Sequence, residues 1–445
     1  MGNIKNSKRG ISTAMALIAI IVIAAIAGGV GYYAGNTSGY SAGYEAGSGG
    51  AYQQGYQAGL QQGNSTGYAK GYQAALEKAK PVLPDVIKIG QIQSLSGGLG
   101  PFGTKIAKGA QLAVDEVNAK GGIRGRRIQL ITEDDATDPT RALEVAKKLV
   151  EVDGVQVIIG TTGSAMLRAI APYLIEKKVL IISPSVSGPV FSIEYPNSYI
   201  MRTCPSDVLQ GAVIGDLVLQ RGYKKVAYVI MDNAYGRGIY EEVKKKVGEG
   251  VVTIFFDEKK LDYRTELEQV RAANPDVVVH VGYPEDGTVM FKQALEAGLE
   301  TIQWISAEGV YGKAMLPPEG DPAAAEFMAK ALIGTAPTAP GGILYEEFVR
   351  KYTEAFGMEP MVYCDTCYDA TMLAIQAIAY CGDYNGTKIR DAVLTIAKNY
   401  IGPSGHKIFQ PNGIDIMYSY YLIWDVEEVA PGQYEFKEIG RLEVS

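Results

Sequence analysis

A chain of 445 residues, 47% hydrophobic and 20% charged, is long enough for two or three domains that each bury a core. Its formal net charge is −7 and no stretch concentrates Lys and Arg, which excludes nucleic acid as a partner. Only two histidines, His280 and His406, occur, far apart in sequence. That argues against a His-rich metal centre and most His-based catalysis, so no cofactor, metal or enzymatic activity is expected.

The chain opens with Lys5, Lys8 and Arg9 ahead of an uncharged apolar run from Ile11 to Val30. About 20 residues at 1.5 Å each cross a bilayer core of about 30 Å. The basic residues set the N-terminus inside and everything after the run outside. Residues 1–31 thus read as a single-pass membrane anchor; a cleaved secretory signal would have a shorter apolar core and a small-residue cleavage site. The junction Lys8-Arg9-Gly10-Ile11-Ser12-Thr13 resembles an archaeal pilin-like (class III) signal, which implies cleavage after Gly10 with the helix retained.

Residues 32–84 form a spacer. Glycine recurs every fourth residue from Gly31 to Gly71, with Ala51 and Ala75 in phase, and tyrosine follows many of these positions. Small-xxx-small stripes let helices approach closely, so one reading is a homo-oligomeric helical stalk through residues 11–75, its repeat ~67 Å long if fully helical. The other is a flexible tether, because each glycine costs a helix about 1 kcal/mol relative to alanine. Asn36, Asn64 and Asn385 lie in N-x-S/T sequons, consistent with an exterior location.

Beyond Pro81 and Pro84 the pattern alternates. Strands are predicted over 86–93, 127–132, 155–159 and 179–182, with helices over 103–119, 139–151 and 164–176 between them. A second series places strands at 225–230, 251–256, 276–281 and 302–305 and helices near 207–221, 236–247, 263–273 and 285–298. Three helices follow near 343–356, 365–380 and 386–398, then two strands near 417–424 and 434–441. This is an α/β pattern, best housed in two Rossmann-like lobes.

Gly98-Leu99-Gly100-Pro101-Phe102-Gly103 matches the dinucleotide-binding G-x-G-x-x-G. An extra Ser-Leu-Ser before the glycines and an acidic cluster, Glu133 to Asp135, some thirty residues on rather than about twenty argue against it. Two other loops follow strands: Gly160-Thr161-Thr162-Gly163-Ser164, which opens a helix, and Ser183-Pro184-Ser185-Val186-Ser187-Gly188. Free N–H groups, hydroxyls and a helix dipole make an anion cradle there, suited to a carboxylate. The alternative for each loop is ordinary capping. Cys364 and Cys367 form a C-x-x-C, with Cys204 and Cys381 elsewhere. A zinc site lacks further ligands and an extracellular disulfide is an alternative, but small buried thiols on helices are the favoured reading.

An ordered series of motifs runs from Val86 to Gly440: Asn118-Ala119-Lys120-Gly121-Gly122-Ile123-Arg124-Gly125, Asp134-Asp135-Ala136-Thr137-Asp138-Pro139, Tyr235-Gly236-Arg237-Gly238, Gly282-Tyr283-Pro284 and Ala307-Glu308-Gly309-Val310. Together they resemble the leucine/isoleucine/valine-binding proteins of ABC importers, with the type I periplasmic binding-protein fold. The resemblance implies that Ser164, Ser185 and Ser187 hold a ligand carboxylate, that Tyr235 and Tyr283 close over the ligand from the second lobe, and that Glu308 takes the α-ammonium. Phe102 would pack on the ligand side chain. Thr137 and Gly163 stand where some members carry a disulfide, so that bridge is not carried over.

The family topology implies a first lobe of 85–204 plus 335–412 and a second of 205–334 plus 413–445, joined by a three-crossover hinge. The partners implied are an amino acid or related small molecule and an ABC permease, with the anchor in the cell membrane and the binding domain extracytoplasmic. The alternative is a sensor or surface-assembly component on the same fold, which a stalk would suit.

Overall fold

The computed structural model describes residues 83–258 and 260–444. The apolar run, the Gly/Tyr repeat and the sequons at Asn36 and Asn64 lie outside these residues. Among the described residues no helix is long and apolar enough to cross a membrane.

The first series comprises β1 (Val86–Gln93), α1 (Gly100–Ala119), β2 (Arg127–Asp134), α2 (Pro139–Lys147), β3 (Val157–Gly160), α3 (Ser164–Lys177), β4 (Leu180–Ser183), α4 (Val190–Glu194) and β5 (Ile200–Arg202). Its strands pair in parallel in the order β2-β1-β3-β4-β5. Strands β3 and β4, Val-Ile-Ile-Gly and Leu-Ile-Ile-Ser, are buried at every position. A parallel sheet covered on both faces demands such continuous apolar runs.

The second series comprises α5 (Asp207–Gln220), β6 (Val226–Met231), α6 (Ala234–Val247), β7 (Val252–Phe256), α7 (Arg264–Ala273), β8 (Val277–Val281), α8 (Pro284–Glu296), β9 (Gln303–Ser306), α9 (Pro322–Ala331) and β10 (Leu332–Thr338). Helices α10 (Ile343–Phe356), α11 (Cys364–Cys381) and α12 (Gly386–Ile396) return to the first sheet, where α11 packs on α1, β3 and β4. A two-residue ladder, β11 (Ile401–Gly402) with β12 (Gly405–His406), precedes β13 (Ser419–Ala430) and β14 (Gln433–Val444). The second sheet runs β14-β13-β10-β9-β8-β6-β7, antiparallel only at β10–β13 and β13–β14. Its core holds Phe291 of α8, Trp304 of β9 and Phe327 of α9, with ring centroids 5.3–6.2 Å apart. His280 of β8 is buried against Phe291, and burial pushes its pKa down to about 3, so it is a neutral core residue bonded to Ser306 Oγ (3.0 Å).

The structure thus has two lobes, and the chain passes between them three times: after β5, after β10 and before β13. The predicted boundary at 334/335 falls within β10. That strand and α9 were absent from the sequence reading. Gly334 and Pro337 suggest a break, yet Gly334 sits in the strand because a Cβ there would meet Trp424 Cζ2 at 2.1 Å. Asp321, whose carboxylate accepts the N–H groups of Ala323 and Ala324, and Pro322 supply an ordinary start signal for α9. Strands β13 and β14 extend to Ala430 and Val444, past the predicted ends, through residues that mostly face solvent.

All four cysteines are free thiols. Cys364 and Cys367 lie on α11 and are buried, as is Cys204, which sits in the turn after β5 rather than on a helix. Burial pushes the Cys204 and Cys364 thiols up to about 12.

One buried ion pair ties the first and third passages together. Arg202, at the end of β5 with a side chain 2% exposed, donates from Nε to Asp415 Oδ1 (2.6 Å). It also donates to the carbonyls of Val186 (3.2 Å) and Gly188 (2.9 Å) and to Ser192 Oγ (3.0 Å). Asp415 in turn accepts from Ser192 Oγ (2.7 Å) and Asn412 Nδ2 (2.8 Å). Such a pair contributes little over an apolar substitute, but removing one partner strands the other charge. Asp415→Ala should therefore lower unfolding stability by about 3–5 kcal/mol in denaturant titration; a loss below about 1 kcal/mol would contradict this account.

Candidate functional site

Open α/β sheets bind ligands beyond the carboxyl ends of their strands. Here the loops after β1, β3, β4, β6, β8 and β9 converge on one cleft. Its walls include all seven residues singled out from the sequence: Phe102, Ser164, Ser185, Ser187, Tyr235, Tyr283 and Glu308.

The wall from the first lobe begins with the loop after β1. Asp134 accepts the N–H groups of Leu95 (2.8 Å), Ser96 (3.2 Å) and Ala136 (2.8 Å) and the Ser96 hydroxyl (2.6 Å). Burial works against it, but these bonds hold its pKa below the usual range. Asp135 accepts from Ser94 Oγ (2.6 Å) and Thr137 N (3.0 Å), and burial pushes it up to about 6. Thr137 Oγ1 accepts from Leu99 N (3.1 Å) and donates to Ser96 O (2.9 Å). The acidic cluster thus shapes the loop that presents Leu99, Phe102 and Ile106 as an apolar wall. The last glycine of the G-x-G-x-x-G stretch, Gly103, serves packing: a Cβ there would meet Ser94 O at 2.0 Å.

Ser164 is the first residue of α3 and 2% exposed. The first turn closes from Leu167 N to Gly163 O, so the N–H groups ahead of it have no intrahelical partner. A helix N-terminus with a hydroxyl beside it favours an anion. Ser185 Oγ already donates to Thr162 O (2.8 Å), so its proton is committed within the wall. Ser187 uses its carbonyl to accept Asp207 N (2.9 Å).

The second lobe supplies the opposite wall. Asn233 caps α6 by accepting Gly236 N (2.9 Å), which sets Tyr235 in the first turn. Tyr283 precedes α8, and the two rings stack with centroids 5.5 Å apart and 12° between planes. Glu308 opens a 3₁₀ turn after β9 and is 4% exposed. Its Oε1 accepts from Tyr363 Oη (3.0 Å), while Oε2 has no partner among the described residues.

Two neighbours escaped the sequence reading. Tyr363 precedes α11 with φ +73° and lines the cleft. A positive φ on a tyrosine is uncommon and cannot be read from composition. Asp207 is fully buried at the start of α5, where the Ser187 hydroxyl and the Arg202 charge offset part of the cost of burial. Burial first and the Glu308 charge second push the Asp207 pKa well up. Burial likewise raises Glu308, offset in part by its hydrogen bonds. Arg202 is itself committed to Asp415. The cleft therefore has an electropositive helix end and one buried carboxylate, Glu308, in its wall, with Asp207 buried outside that lining.

A model of the periplasmic binding protein family matches residues 86–423. Leu/Ile/Val-binding protein homolog 2 of Brucella abortus is 30% identical over 318 residues, which is 69% of this chain and 82% of that protein. The match to a further Brucella relative spans 60% of that protein's length. Among solved structures, the branched-chain amino acid transporter substrate-binding protein LivJ of Streptococcus pneumoniae, in complex with isoleucine, aligns with a TM-score of 0.70 at 25% identity, over 81% of this chain and 99% of that one. A solute-binding protein of an ABC transporter from Rhodopseudomonas palustris, in complex with 3,4-dihydroxybenzoic acid, aligns with a TM-score of 0.68 at 25% identity, over 81% and 98%. The fold, the cleft at the strand ends and these matches lead to one assignment: the chain belongs to the periplasmic binding protein family, with the substrate-binding proteins of branched-chain amino acid ABC transporters among its relatives.

Proposed function

We propose that this protein is the extracytoplasmic receptor of an ABC importer and captures a zwitterionic α-amino acid with an apolar, branched side chain. The observation that carries the choice of ligand is the buried Glu308 carboxylate, which lines the cleft without an ion-pair partner among the described residues, together with the helix end at Ser164. An amino acid fits both ends. Its carboxylate would sit at Ser164 and the free N–H groups of α3, with Ser187 beside it. Its ammonium would pair with Glu308, and Asp207 would reinforce the field from behind. Leu99, Phe102 and Ile106 would take the side chain, and Tyr235 and Tyr283 would close over it. Ser185 would act through wall geometry rather than by donating its hydroxyl. Relatives in complex with aromatic acids exist, but an anion without an amine would leave Glu308 without an ion-pair partner and add a further negative charge.

The three passages between the lobes would serve as the hinge, as domain closure requires a few segments that absorb backbone rotation. The apolar run Ile11–Val30, flanked by Lys5, Lys8 and Arg9, would hold the receptor at the membrane, and residues 32–84 would space it from the surface. In fractionation the full chain should sediment with membranes and a 83–445 fragment should stay in the supernatant; a full chain that is equally soluble would remove the anchor.

Glu308→Gln should weaken L-isoleucine binding by about 2–5 kcal/mol in isothermal titration, because a buried ammonium then faces a neutral amide. The pH dependence follows from the same group. In the empty cleft its carboxyl is raised, and an ammonium favours the ionised form, so binding releases protons. Affinity should fall as pH drops through the raised Glu308 and Asp207 values, and the effect should be smaller in Glu308→Gln. Unchanged affinity in the variant, or affinity that improves on acidification, would remove Glu308 from the site.

A further inference from the structure

A second, smaller cavity lies against the passages between the lobes. All three contribute to its wall: Thr203 and Pro205 from the first, Pro337 and Thr338 from the second, Ile416 and Tyr418 from the third. Its polar lining is not that of an ordinary core void. Lys407 lines it at 1% exposure. Its ammonium donates to Ser404 O (2.7 Å), and no carboxylate lies within 4.0 Å of it among the described residues.

The closest negative charges are Asp369 and Asp365. Asp369 is saturated by Tyr400 Oη (2.7 Å), Ser404 N (3.0 Å) and Ser404 Oγ and does not line the cavity. Asp365 does line it. Ser419 lines it as well, and its Oγ, on a residue 2% exposed, has no partner among the described residues. Burial depresses the Lys407 pKa and raises that of Asp365, as expected for opposite charges short of solvation. Buried polar groups without protein partners need water or a ligand.

We propose that this cavity, which shares the wall residue Tyr363 with the cleft, is a second binding site for a small zwitterion whose carboxylate faces Lys407, whose ammonium faces Asp365 and whose remaining acceptor capacity is met by Ser419. Both charges of such a guest find an opposite charge on the wall, whereas a simple anion meets Asp365 and a simple cation meets Lys407. Because the wall is built from the three passages, an occupant present in one arrangement of the lobes and not in the other shifts the closure equilibrium, and cleft affinity with it. That consequence rests on the hinge reading above; the binding itself does not.

Glycine, the smallest zwitterion of this class, is the probe. Full-length protein in detergent is titrated with ¹³C-labelled glycine and followed by NMR, alongside Lys407→Met, Asp365→Asn and Thr338→Trp. The last places a bulky ring at the half-buried mouth and leaves the buried charges in place, which covers the case in which a charge variant fails to fold. The expected result is saturable binding weakened tenfold or more in each variant that folds. Absence of glycine binding, which would make the cavity a water site, or equal affinity in all proteins, which would put glycine in the cleft, overturns the proposal. Neither outcome depends on whether L-isoleucine occupies the cleft.

Discussion

Negative charge without a counter-charge organises the cleft. Glu308 and Asp207 are both buried and each raises the other's cost of ionisation, and Glu308 accepts from Tyr363 with one oxygen. Arg202, a cation that acts on Asp207, is held by Asp415 and by two backbone carbonyls of the serine loop. Its charge is therefore fixed in the frame rather than free to move into the cleft. A protein interior tolerates such an arrangement when protonation or a guest relieves it. The raised pKa values of both groups express that cost in the empty state.

The frame around the carboxylates follows from strand order. Parallel strands bring their carboxyl ends to one side, so each site residue lies a few positions past the end of a strand. Glu308 follows β9, Tyr283 follows β8, Tyr235 follows β6, Ser185 and Ser187 follow β4, and Ser164 follows β3. Precision comes from polar scaffolding behind the wall. Asp134, Asp135 and Thr137 hold the loop that carries Leu99 and Phe102. Arg202 holds the loop that carries Ser185 and Ser187 and links it to the segment leading into β13. The same residue thus couples one wall of the cleft to a passage between the lobes.

Much of this was legible in the sequence, for physical reasons. Buried strands such as Leu180–Ser183 and Val277–Val281 are continuous apolar runs, and most helices announce themselves by caps and periodicity. The seven cleft residues were reachable because they sit in loops whose motifs resemble a known family. What stayed hidden depends on long-range contact. Gly334 reads as a break until Trp424 is seen lying over it. Asp207 follows Ser206 as an acidic first-turn residue, and only the fold reveals that it is fully buried within reach of the Glu308 charge. Tyr363 gives no signal in composition, and its left-handed backbone is what turns its hydroxyl to Glu308. Lys407 directly follows β12 in a stretch with no apolar pattern, and only the fold shows that it is buried.

The central claim is that the cleft demands both charges of an amino acid. Calorimetric titration of the protein with L-leucine, with 4-methylpentanoate, which lacks the ammonium, and with isoamylamine, which lacks the carboxylate, tests it most directly. The account predicts that leucine binds and that each truncated analogue loses at least a hundredfold in affinity. Binding of 4-methylpentanoate or benzoate as tightly as leucine would contradict it and would mean that Glu308 and Asp207 are protonated partners of an anionic ligand.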